Sequence, residues 1–107
     1  MIARAWHGRV PADKANAYHQ YLLRTGLRDY ASTPGNRGVF VFRRIEGGEC
    51  HFLLTTLWDS IEAIKLFAGA DYERARYYPE DDEFLQEREP FVTHYEVLMA
   101  ALPHGQS

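Results

Sequence analysis

A chain of 107 residues, 46% hydrophobic and 25% charged, suffices for one domain with a small core. Its net charge of −3 excludes the basic surface that a nucleic-acid footprint requires. A single cysteine, Cys50, excludes an intrachain disulfide and points to a reducing compartment, and no apolar run is long enough to cross a bilayer. The opening MIARAWHGRV lacks the charged-then-apolar order of a signal peptide, so a cytoplasmic location is expected.

Ile2 to Arg9 reads as a strand with Trp6 and His7 on opposite faces. Pro11 suits the first position of a helix. In that helix Ala15, Tyr18 and Leu22 recur on one side, while Asp13, Lys14, Asn16 and Gln20 stay polar. Gly26 either interrupts the helix or lets another backbone come close. Leu27 to Tyr30 form a last turn, and Ser32 to Asn36 form a loop.

Two runs, RGVFVFRRIE and ECHFLLTTLW, flank Gly47-Gly48, which predicts a hairpin with a two-residue turn. That turn sets the register: Glu46 opposite Glu49, Ile45 opposite Cys50, Arg44 opposite His51, Phe42 opposite Leu53 and Phe40 opposite Thr55. One face then carries Phe40, Phe42, Leu53 and Leu57, and the other Val39, Val41, Phe52, Leu54 and Trp58. Both are apolar, so cover is expected on both sides. His51 opposite Arg44 reads as a hydrogen-bonded surface pair.

From Trp58 to Phe84 the pattern predicts three short helical pieces. Asp59 with Glu62 has the spacing of an N-terminal capping box, and Ile61, Ile64 and Ala68 follow at helical spacing. Gly69 ends that helix, Asp71 caps a second, and Pro79 with Glu80, Asp81 and Asp82 opens a third. The acidic run Glu80 to Glu83 lacks the spacing and central glycine of a calcium loop and reads as a solvated helix start. A broken helical layer leaves space beneath it. Phe67, Tyr72, Tyr77 and Tyr78 are its natural lining, and the same rings serve equally as ordinary core packing. A last strand is expected from Phe91 to Ala100. Residues 1–100 then form a single domain, with a flexible tail at 101–107.

The order β-α-β-β-α-β is the ferredoxin-like plan, an α+β fold with a four-stranded antiparallel sheet. Two helices cover one sheet face only. The second apolar face calls for another copy of the same sheet, so a symmetric homodimer is expected.

MIARAWHGRVP, TPGNRGVFVFRR, LTTLWDSIEAIKLFAG and VTHYEVL together resemble the antibiotic biosynthesis monooxygenase superfamily of dimeric α/β barrels. The resemblance runs from residue 2 to 99 and is most specific at Trp58-Asp59-Ser60-x-Glu62-Ala63. It implies a dimeric α/β barrel. Relatives include oxygenases that oxidise polycyclic phenols or anthrones without metal or flavin, haem-degrading enzymes, and proteins of no known activity. The haem-degrading branch typically presents an asparagine, a tryptophan and a histidine where this chain has Arg4, Phe67 and Tyr77. Without the histidine ligand that mechanism is not expected, although Tyr77 is a conceivable iron ligand.

Cofactor-free oxygenation needs an aromatic slot, a base for an acidic proton and a donor for the resulting oxyanion. The resemblance implies that Arg4 faces the slot and stabilises an enolate or phenolate, with Trp6 on the same face. Trp58, Phe67, Tyr72 and Tyr77 would stack on the substrate, and His94 is the preferred base. Each has a plainer reading: Arg4 as the partner of a carboxylate, His94 as a hydrogen-bonded strand residue.

His7, His51 and His94 lie on three strands, but none falls in a close-spaced pair, so no metal site is expected. Arg37-Gly38-Val39-Phe40-Val41-Phe42 imitates the strand signature of RNA-recognition modules, yet its aromatics fall one position late. The expectation is a homodimer that binds a small aromatic or lipophilic molecule, with no resident cofactor. It is either a monooxygenase acting on an electron-rich aromatic or quinol-type substrate with O2, or a non-catalytic binder.

Overall fold

Period-two alternation sends Arg4, Trp6, Gly8 and Val10 to one face of β1 (Ile2–Pro11), all buried, and Ala3, Ala5, His7 and Arg9 to the other. The structure, a computed structural model, describes residues 1–102, so most of the expected tail, at 103–107, lies outside the described residues. Pro11 does not open the helix. Its ψ of 141° is extended and it closes β1; a 3-10 turn, Ala12–Lys14, then leads into α1 (Ala15–Arg24). Helix α2 (Gly26–Ser32) follows a break at Thr25, whose hydroxyl donates to the Tyr21 carbonyl at 2.9 Å. Gly26 marks the interruption, but no backbone closes on it. The atoms nearest to a Cβ there would be the Tyr30 and Tyr78 rings, at 3.8 and 3.9 Å.

Strands β2 (Asn36–Glu46) and β3 (Glu49–Trp58) form the hairpin in the expected register, from Glu46 opposite Glu49 to Phe40 opposite Thr55. Gly47 takes the φ of 61° that the turn requires. The sheet order is β2-β3-β1-β4 with every neighbour antiparallel, the α+β ferredoxin-like arrangement. Strand β4 is only Thr93–Glu96, shorter than the expected Phe91 to Ala100. Beyond the Ile2–Glu96 pair, the Met1 carbonyl takes the Val97 N–H at 3.0 Å. At the other end, Val92 N–H turns to the Glu73 carbonyl instead.

Helix α3 (Ile61–Ala68) is capped by Ser60, whose Oγ accepts from Ala63 N–H at 3.2 Å, and not by Asp59. Asp59 instead takes Arg37 Nε at 2.5 Å. Gly69 ends the helix with φ 88°. The second expected helical piece does not form. Asp71 closes one turn onto Arg74, and the chain then runs extended, with Ala75 N–H on the Pro90 carbonyl and Val92 N–H on Glu73, both at 2.9 Å. Two long-range backbone bonds there satisfy groups that a short isolated helix would leave to water. The last piece is a 3-10 turn, Pro79–Glu83.

The helices cover one sheet face over two packed clusters. Trp6, Val10, Tyr18, Leu22, Phe52 and Leu54 lie toward α1; Trp58, Ala63, Ile64 and Phe67 lie under α3; Tyr30 touches both. The other face is open: Phe42, Leu53 and Tyr95 are 52%, 42% and 58% exposed. No helix among the described residues is long and apolar enough to cross a membrane.

Candidate functional site

Arg4 projects from β1 into the helix-covered face and is 3% exposed. Its Nη1 donates to the Tyr72 carbonyl and its Nη2 to the Arg74 carbonyl at 3.1 Å. Nη1 also lies 3.3 Å from His94 Nε2. Arginine cannot accept, so Nε2 is the acceptor and the imidazole proton sits on Nδ1. The extended run after Asp71 thus supplies carbonyls to a cation and contributes no carboxylate. The expectation that Arg4 pairs with an acidic side chain is overturned: none reaches it among the described residues. Burial lowers the Arg4 pKa, and burial followed by the Arg4 charge lowers that of His94.

Arg4, Trp6 and Tyr77 border one cavity between sheet and helices, with Tyr30, Tyr78 and Asp81 among its other walls. Trp6 Nε1 donates to Tyr77 Oη at 3.1 Å, and Tyr77 Oη donates to the Glu89 carbonyl at 2.6 Å. Gly8 lets the indole lie along the strand, because a Cβ there would overlap the Trp6 ring. The cavity, partly open to solvent, has a volume of about 30 Å³, room for a water or two, whereas a cavity of roughly 150 Å³ takes benzene in an engineered core. The expected ring-sized hollow is therefore largely filled by the protein's own side chains.

The remaining candidates divide. Phe67 is buried and flanked by two guanidinium groups, Arg4 at 5.9 Å and Arg76 at 4.8 Å from its ring centre. Tyr72 offers its carbonyl to Arg4 and meets the His94 ring edge-on at 5.2 Å. Trp58 lies apart from the cavity, fully buried against Phe67, its Nε1 donating to Thr56 Oγ1 at 2.8 Å. His94 does not border the cavity; Arg4 stands between them.

Three residues escaped sequence reasoning. Arg76 stacks on Phe67 and Tyr78 and donates to the Phe67 carbonyl at 3.0 Å. Tyr30 packs against Phe67, and burial pushes its phenol up to about 12. Asp81 corrects the reading of the acidic run: Glu80, Asp82 and Glu83 are exposed, but Asp81 is 4% exposed. It accepts from Tyr78 N–H at 2.7 Å and Tyr18 Oη at 3.2 Å, while burial raises its pKa. Pro79 as first helical residue makes Asp81 the third, the position from which a carboxylate reaches back to the cap. That signal was present in the sequence.

Solved structures with this arrangement are numerous. A candidate antibiotic biosynthesis monooxygenase from Bacillus cereus superposes with a TM-score of 0.61 at 15% identity, covering 94% of this chain and 97% of the other. The chain shares its fold with that protein. MhuD, a haem-degrader from Mycobacterium tuberculosis with two haems bound in its active site, shares the fold with a TM-score of 0.60 at 21% identity, over 94% and 99% of the two chains. Rv0793 from the same organism does so with a TM-score of 0.59 at 20% identity, over 95% and 100%. At such identities the likeness is one of architecture. No protein-family profile matches the sequence, and no curated protein matches it.

Proposed function

We propose that this antibiotic biosynthesis monooxygenase fold oxidises a small electron-rich aromatic or quinol-type substrate with O2, using no resident cofactor. The observation that carries the reading is Arg4, a buried guanidinium without a carboxylate partner. Burying a cation without a counter-charge is costly. A phenolate or enolate oxygen brought by a substrate relieves that cost, and the site would favour the ionised form over the neutral one. His94, its pKa held below the ordinary 6.5 by burial and by Arg4, is unprotonated near neutral pH. When the substrate oxygen draws Arg4 Nη1 away, Nε2 of His94 is free to take the proton. For a methylene between aromatic rings the balance is R2CH2 + O2 → R2CO + H2O, every electron coming from the substrate. The same Arg4 donors hold the Tyr72 and Arg74 carbonyls, so an incoming oxyanion competes with the chain segment that closes the cavity.

Haem ligation is disfavoured, because Tyr77, the one conceivable ligand of the expected three positions, has its oxygen engaged by Trp6 and Glu89. An absorption spectrum of the purified protein without a Soret or flavin band agrees with this reading; either band overturns it.

The open face supports a homodimer through Phe42, Leu53 and Tyr95, large apolar side chains left exposed on one side of the sheet. The aromatic walls Trp6, Tyr30 and Tyr77 also support a second reading, a non-catalytic binder of a small aromatic or lipophilic molecule. Oxygen uptake on anthrone- and quinol-type substrates separates the two. Turnover should fall about 100-fold in Arg4→Met, with an unchanged circular dichroism spectrum. His94→Ala should remove the acid limb, which in the parent lies below pH 6.5. Turnover unaffected by both substitutions removes the site assignment, and saturable binding without turnover favours the binder.

A further inference from the structure

Polar side chains outside the Arg4 network gather at two places. On the open face His51 meets His7 at 2.9 Å and not Arg44, which corrects the expected surface pair, so two of the three strand histidines stand close together. The other group stands at the rim of the cavity. Most of the cavity walls are buried, Arg4, Trp6, Tyr18 and Asp81 among them. Arg76 is exposed, however, and Thr25, Tyr30, Tyr77 and Tyr78 are half-buried. The way to solvent therefore runs between α2 and the extended segment after Asp71.

Asp29, on α2, spans that opening. Its Oδ2 accepts from Tyr78 Oη and lies 3.5 Å from Arg76 Nη2. The Arg76 guanidinium covers the Phe67 and Tyr78 rings, 4.8 and 5.2 Å from their centres, and its Nη1 donates to the Phe67 carbonyl at 3.0 Å. The backbone beside these side chains is tied down, with Ala75 N–H on the Pro90 carbonyl at 2.9 Å and Tyr78 N–H on Asp81 at 2.7 Å. Rotation about side-chain bonds is what remains free to open the rim. We propose that Arg76 and Tyr78 form a side-chain gate over the cavity, latched by Asp29, through which a small acidic aromatic molecule reaches Arg4. The choice of ligand rests on the proposed role of Arg4; the gate does not. A phenol ring turned out of the wall leaves a space of its own size, which the closed cavity of about 30 Å³ lacks. A ligand oxygen carrying negative charge competes with Asp29 for the same two donors, so the ligand itself favours opening. The Arg76–Asp29 contact is long and partly exposed, which makes the phenol-to-carboxylate bond the stronger half of the latch.

Tryptophan fluorescence tests the gate without a ligand. Trp6 borders the cavity, whereas Trp58 is fully buried apart from it, so collisional quenching by acrylamide reports access to the cavity. In Asp29→Ala the quenching constant should rise at least about twofold as the open population grows, with an unchanged circular dichroism spectrum. Asp29→Asn should give a smaller rise, because its amide oxygen still accepts from Tyr78. Stopped-flow mixing with 2-naphthol supplies the second readout. Entry and exit should both quicken about tenfold in Asp29→Ala, the loss of one hydrogen bond to a charged group, with affinity nearly unchanged. A binding residue would change affinity instead. Quenching in Asp29→Ala equal to the parent overturns the gate and leaves the role of Arg4 untouched. A rise that Asp29→Ala still produces in an Arg76→Ala, Tyr78→Phe background overturns it too, since Asp29 then holds neither side chain. Faster quenching with no binding of 2-naphthol keeps the gate and removes the acidic aromatic ligand.

Discussion

Arg4 and Arg9 share one strand but, an odd number of residues apart, they face opposite ways, and the chain treats them differently. Arg9 lies on the open face between two carboxylates, Glu49 at 3.0 Å and Glu87 at 2.8 Å, which raise its pKa. Arg4 lies under the helices with two backbone carbonyls and an imidazole, and burial lowers its pKa. A surface cation finds partners from neighbouring strands and loops. A buried cation left with neutral partners is a reserved charge, which is why the candidate chemistry is assigned to the covered face.

Packing should give the largest contrast between the faces. Trp58→Ala, on the covered face, is expected to lower stability by about 3–5 kcal/mol, read from the midpoint of urea unfolding. Phe42→Ala, on the open face, should cost about 0.5 kcal/mol or less at concentrations where the chain is monomeric. Equal losses would mean that the open face is already covered within one chain.

Association comes next. Phe42→Asp sets a charge in the middle of the proposed dimer contact, and sedimentation should show dimerisation at least about tenfold weaker. A stable monomer for the parent protein would remove the dimer and leave the fold intact.

A smaller effect separates the acidic groups. The folded pKa of Asp81 lies above its ordinary 3.8, so the folded chain keeps that proton longer than the unfolded one. Its contribution is most favourable below that value and declines as pH rises through the folded pKa. Asp81→Asn should flatten that decline relative to the parent in denaturation measured across acidic pH. An unchanged slope would mean that Asp81 is as solvated as Glu80 and Asp82. Smallest of all, Arg9→Ala should leave the unfolding midpoint within error, because half-exposed ion pairs are screened.

Period-two alternation in β1 and β3, the Gly47-Gly48 turn and the helical spacing of Ile61, Ile64 and Ala68 determined the element order, the hairpin register and which faces are apolar. These are properties of near neighbours in the chain, legible because each depends on one local geometry. Even Asp81 could have been read from its distance to Pro79. Tertiary structure alone decided the rest. Strand β4 paired with β1 only over Thr93–Glu96, the run after Asp71 became extended because Pro90 and Val92 were there to bond it, and side chains filled the hollow to about 30 Å³. It also decided that Arg4 meets Tyr72, Arg74 and His94 but no carboxylate, and that His7 meets His51 and Glu89. Such meetings join residues tens of positions apart, and only packing in three dimensions fixes which polar groups share a buried space and which remain without a partner.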